Sequence, residues 1–104
     1  MTEPEKYTAL FGSLVLMFQT AAMQQMGKVK NSVTDKIERD LDQAQLSIDM
    51  LDMLEAKTRG NLTDEEKKYL GEVLKELKLN YVDEKAKDKP DEKATNKPDE
   101  KESK

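Results

Sequence analysis

The chain has 104 residues, a net charge of −4, and neither cysteine nor histidine. Without those two residue types it lacks the commonest general base, a favoured nucleophile, the two main zinc ligands and any disulfide to staple a small core. Its acids outnumber its bases, most of all between Thr34 and Lys57, where seven acids face three bases. That balance excludes the broad basic surface that nucleic-acid binding requires.

The first predicted element follows the acidic start at Glu3 and Glu5. From Tyr7 to Gly27 there is no charged residue. Tyr7, Leu10, Phe11, Leu14, Val15, Phe18, Ala21, Ala22 and Met26 keep the three-and-four spacing of one helix face, and Leu16, Met17 and Met23 fall outside it. The spacing predicts a helix over 5–26, apolar nearly all round, with Gly27 as its stop. A helix of that kind must be covered on more than one side. Burial against a second copy of the chain is therefore expected, with Leu10, Leu14 and Phe18 in the interface. The alternative is a membrane-associated helix over about 7–27, since about 20 residues reach across a bilayer. Gln19, Thr20, Gln24 and Gln25 weigh against that, because amides are costly in hydrocarbon. The polar, acidic start is also unlike a signal peptide.

Lys28 to Val33 reads as a short connector. Ser32-Val33-Thr34-Asp35 has the outline of a capping box, which places the second helix over 34–59. Ile37, Leu41, Ala44, Ile48 and Leu51 then step by four and three, a coiled-coil-like seam. Leu46, Met50, Met53 and Leu54 make a flanking stripe. The helix closes at Lys57-Thr58-Arg59-Gly60, with basic residues at the negative end of its dipole and glycine free to take the left-handed conformation. Asn61 and Leu62 lead to Thr63, and Thr63-Asp64-Glu65-Glu66 is a full capping box for a third helix over 64–82. That helix carries Leu70, Val73, Leu74, Leu77 and Tyr81 on one face. The tight connection makes the second and third helices an antiparallel hairpin.

From Asp83 to Lys104, 15 of 22 positions are charged, and Lys89-Pro90-Asp91-Glu92-Lys93 nearly repeats as Lys97-Pro98-Asp99-Glu100-Lys101. Such composition cannot offset the entropy of ordering, so residues 83–104 are expected to form a disordered tail on a helical domain of residues 1–82.

The string Ile48-Asp49-x-Leu51-x-x-Leu54-x-x-Lys57-Thr58-x-Gly60-Asn61-Leu62-Thr63-x-Glu65-Glu66, followed by Leu77-x-Leu79-x-Tyr81-Val82, resembles the small bacterial proteins of domain-of-unknown-function family 1844. The resemblance spans roughly Tyr7 to Val82 and implies an all-helical cytoplasmic protein. It brings no reaction, cofactor or catalytic residue.

Two polar groupings remain. Asp49 and Asp52 are three apart on one helix face and could line an ion site, but carboxylate-bridged helical sites normally add a histidine that this chain does not have. An acid paired or hydrogen-bonded on a helix surface is the plainer reading. Lys57, Thr58, Gly60, Asn61, Leu62, Thr63 and Glu66 could surround an anion, yet capping and turning account for each of them. The resulting expectation is an all-α, three-helix, self-associating protein without enzymatic activity, metal or cofactor. Its partner is another copy of itself.

Overall fold

The computed structural model describes residues 2–88. They form three helices, α1 (Glu3–Gln25), α2 (Leu41–Lys57) and α3 (Asp64–Lys87), each packed against the other two. Among the described residues there is no strand, only an isolated bridge between Asn31 and Lys36.

α1 starts earlier than the hydrophobic pattern suggests because Thr2 caps it. The Thr2 hydroxyl accepts from Glu5 N at 3.3 Å, and the Thr2 N–H donates to Glu5 Oε1 at 2.8 Å, a complete capping box with Pro4 in the first turn. At the other end Gly27 has φ +81°, Gly27 N donates to Gln24 O and Lys28 N to Met23 O, both at 2.9 Å. Those two bonds are the Schellman pattern, so Gly27 stops α1 as its position implies.

The second helix departs most from expectation. It begins at Leu41, not Thr34, with Asp40 as its cap accepting from Gln43 N at 3.2 Å. Residues 31–36 instead close a tight turn. The Asn31 side-chain oxygen accepts from Val33 N at 2.8 Å, Asn31 N donates to Lys36 O at 2.8 Å, and Asp35 sits in the left-handed region at φ 58°. An Asn side chain bonding two residues ahead competes directly with helix initiation. The apparent capping box at Ser32–Asp35 loses to that turn, and Ile37 is left exposed outside the seam. The true seam starts at Leu41 and continues through Ala44, Ile48 and Leu51.

At the hairpin the expectation holds closely. α2 ends at Lys57, and Gly60 takes φ +85°. Thr63 and Glu66 form the capping box of α3, with Thr63 N donating to Glu66 Oε1 at 2.9 Å and Glu66 N donating to Thr63 Oγ1 at 3.1 Å. α3 runs to Lys87, past the expected end at Val82. The residues of the proposed tail from 89 onward lie outside the described part of the chain.

The core is a single cluster of Val15, Ala22 and Met26 from α1 and its cap, Ala44, Ile48 and Leu51 from α2, and Leu70, Val73, Leu74 and Leu77 from α3. Phe11, Phe18, Leu54, Leu62 and Tyr81 pack around it. Gly71 does not mark a close helix approach, since a Cβ there would meet nothing within 4 Å. Gly71→Ala is therefore expected to stabilise the fold by up to about 1 kcal/mol, the helix-propensity difference between the two residues. A urea titration that shows equal or lower stability would contradict this reading of the site.

Candidate functional site

Polar side chains gather at three places among the described residues, and structural bonding engages most of those singled out by the sequence. At the hairpin junction a shallow depression of about 410 Å³ is lined by Glu55, Thr58, Arg59, Gly60, Leu62, Asp64 and Lys67. Thr58 Oγ1 donates to Leu54 O at 2.7 Å, and Asn61 N donates to Thr58 O at 2.8 Å. Leu62 turns into the core, Lys57 stays exposed, and the Thr63 backbone N–H holds the Glu66 carboxyl below its usual pKa. The depression carries both signs of charge, with Glu55 and Asp64 beside Arg59 and Lys67.

Asp49 and Asp52 are not brought together on a common ligand position. Asp49 Oδ1 accepts from Gln45 Nε2 at 2.8 Å within α2, while Asp52 reaches across to Lys78 Nζ of α3 at 2.9 Å. Among the described residues no group of three or more acids is placed to hold a metal ion.

The third cluster lies where the connector after α1 meets the end of α3, and the sequence reading missed it. Glu84 is buried. Lys28 Nζ approaches its Oε2 at 2.7 Å, Lys87 Nζ at 2.9 Å, and Arg39 Nε donates to Oε1 at 3.1 Å. Arg39 also donates to the Glu84 carbonyl at 2.8 Å and to Asp88 at 2.9 Å. The ammonium groups of Lys28 and Lys87, with the Arg39 guanidinium, lower the Glu84 pKa to about 2 against the opposing effect of burial. The Arg39 stem lies over Gly27, where an added Cβ would sit 3.4 Å from its Cδ. A permanently ionised, fully bonded carboxylate has no proton to exchange near neutral pH, so this cluster is a clasp between connector and helix.

One surface feature has no internal partner. The core side of α1 has two flanks. Gln19 bonds Glu76 of α3 at 3.1 Å on one of them, and Gln25 meets Ser47 of α2 at 2.7 Å on the other. Leu10, Leu14 and Met17 fall on the Gln25 flank by helical spacing and are exposed. On α2, Asp52 marks the flank toward α3, and Leu46, Met50 and Met53 lie beyond Ser47 on the opposite one, also exposed. The two stripes therefore adjoin, forming one apolar face across α1 and α2 that looks away from α3. Of the three residues expected at an interface, Leu10 and Leu14 are exposed on this face. Phe18 is partly buried and packs against the molecule's own core.

A model of the family described as Domain of unknown function (DUF1844) matches residues 8–84. The chain belongs to this family. Comparison with curated proteins and with solved structures finds no match. The DUF1844 match takes in α2 whole, most of α1 and α3, the hairpin junction and the apolar face, and it closes at Glu84, the buried acid of the clasp. No helix among the described residues of this DUF1844 chain is long and apolar enough to cross a membrane, so α1 as a span is not supported. The amides of its second half are the physical reason, and Gln25 spends its amide on α2.

Proposed function

We propose that this chain is a non-enzymatic helical module that acts in the cytoplasm by self-association through the α1–α2 face. The observation that carries this reading is the continuous stripe of exposed Leu10, Leu14, Met17, Leu46, Met50 and Met53 on a helix pair whose first member has no charge between Tyr7 and Gly27. Scattered exposed apolar residues are ordinary, whereas a contiguous patch on two adjacent helices marks an association surface. Asp49, Asp52 and Glu84, by contrast, are already bonded within the chain. The absence of cysteine accommodates a reducing compartment.

Light scattering after size exclusion tests the reading directly. The wild-type chain is expected at twice its monomer mass at micromolar concentrations. Leu14→Asp should run as a monomer with unchanged helical circular dichroism, since Leu14 is 38% exposed and outside the core cluster. A wild-type monomer at high concentration would reject self-association. Adding anionic vesicles separates the remaining possibility: co-flotation of wild type, lost in Leu14→Asp, would assign the face to a lipid surface instead. Phe18 is no substitute for Leu14 here, because a charge at Phe18 enters the core and reports on folding.

A further inference from the structure

We infer that Met17, Met50 and Met53 form a reversible oxidation site for a peroxide, and that their conversion to sulfoxides makes the α1–α2 face polar while the helical domain stays folded. Its consequence for association rests on the self-association proposed above; the site itself does not.

The chain sorts its methionines by burial. It has six, of which Met1 lies outside the described residues. Met17 is 67% exposed, Met53 47% and Met50 39%, all on the α1–α2 face, and Met50 and Met53 are one helical turn apart. Met26 is 1% exposed in the core cluster, and Met23 is half-buried against that cluster. A peroxide must touch the thioether sulfur, so access decides which side chains react. The chain has neither cysteine nor tryptophan, and no thiol takes the oxidant first. The three exposed thioethers are therefore the first groups to be oxidised.

The peroxide alone balances the reaction. A sulfur lone pair attacks one peroxide oxygen, the S–O bond forms and the O–O bond breaks. The thioether is oxidised by two electrons and the peroxide is reduced. The departing hydroxide takes the proton of the transferred oxygen and leaves as water. Each product replaces a soft apolar tip with a polar one that accepts hydrogen bonds. Three of the six side chains in the stripe of Leu10, Leu14, Met17, Leu46, Met50 and Met53 change in this way, so the face loses its apolar continuity. Covering it would then bury unpaired oxygens, which costs free energy. None of the three belongs to the core cluster or to the residues packed against it, so the fold survives. Where the face associates as proposed, the peroxide reaches the sulfurs in the dissociated chain, and the sulfoxides hold it there.

Titration of the full chain with hydrogen peroxide tests this. After digestion, mass spectrometry is expected to find one added oxygen at each of Met17, Met50 and Met53 at least roughly tenfold faster than at Met26, in line with exposure. At that stage helical circular dichroism should be unchanged and retention on a hydrophobic-interaction column reduced. Sulfoxide reductases of both epimer specificities, with dithiothreitol as reductant, should restore the retention. The triple variant Met17→Leu, Met50→Leu, Met53→Leu keeps the apolar volume and should hold its retention through the same treatment. Oxidation of Met26 in step with the other three, or loss of helicity as they react, would overturn the inference. So would unchanged retention once all three have reacted, or an equal fall in the triple variant. Light scattering keeps the two levels apart: an untreated chain that runs as a monomer rejects self-association, while the order of oxidation and the retention still decide this site.

Discussion

Leu51→Ala is expected to lower the free energy of unfolding by about 3 kcal/mol, the usual cost of truncating a fully buried leucine whose neighbours cannot collapse into the space. Leu51 is 0% exposed and belongs, with Ile48, Leu70, Leu74 and Leu77, to the core cluster of the described residues. A domain of this size has on the order of 5 kcal/mol in hand, so the variant should keep only about 2 kcal/mol and unfold at a much lower urea concentration. Urea titration followed by circular dichroism, at one fixed protein concentration, measures it. The matched control is Leu79→Ala, at a position 63% exposed on α3, which should change stability by no more than about 0.5 kcal/mol. Comparable losses at the two positions would contradict the assignment of the core.

Glu84→Gln is expected to cost about 2 kcal/mol near neutral pH and to flatten the acid limb of the stability curve. Removing one partner of a wholly buried ion pair costs about 3–5 kcal/mol, because the remaining charges lose their compensation. Here Lys28 is 23% exposed, Arg39 33% and Lys87 59%, so water screens part of that loss. The pH sign follows from the direction of the shift. The folded-state pKa of Glu84 is depressed from 4.5 to about 2, so its contribution is fully present above about 4.5 and is lost as pH falls through about 2. Wild type should therefore lose stability steeply across that interval, and Glu84→Gln should lose less. Glu5 and Glu66, both also lowered by their capping bonds, keep the variant's slope from reaching zero. Identical acid profiles for the two proteins would show that the clasp contributes nothing.

The hairpin was readable from residue types alone because local chemistry decides it. Gly60 and the Thr63–Glu66 capping box need no distant partner, and the three-and-four spacing of Leu70, Leu74 and Leu77 states which side of α3 is buried. The start of α2 was not readable in the same way. Ser32–Asp35 and Asp40 both offer a cap, and the choice between them turns on Asn31 bonding ahead to Val33 N. The clasp is non-local: Lys28 and Arg39 reach Glu84 across about half the chain. Its one local sign is that Glu84 continues the stripe Leu77, Tyr81 with the next three-residue step, a charged residue where an apolar one is due. Composition hid that sign, because residue 84 stands at the head of a run of acids and lysines.

The exposed apolar face was half legible. The uncharged run of α1 announces that a second surface must be covered, but it does not say which side chains the domain itself uses. Folding takes Phe11 and Phe18 inward and leaves Leu10, Leu14 and Met17 outside. The flanking stripe of α2 supplies the other half.

The clasp also sets which parts of the chain open together. Beyond Leu77 and Tyr81 the last turns of α3 have little apolar anchoring, with Val82, Lys85 and Ala86 exposed. Their order depends on Arg39 holding the Glu84 side chain and carbonyl and Asp88 at once. The connector from Lys28 to Asp40 is in turn held at its far end by Asp40 N donating to Gln25 O at 2.7 Å and by that same arginine, and at its start by Lys28 on Glu84. Hydrogen exchange would then find the amides of Glu84 to Lys87 behaving as a cooperative unit with the connector, not with the rest of their own helix. α3 is one rod in shape and two segments in its opening.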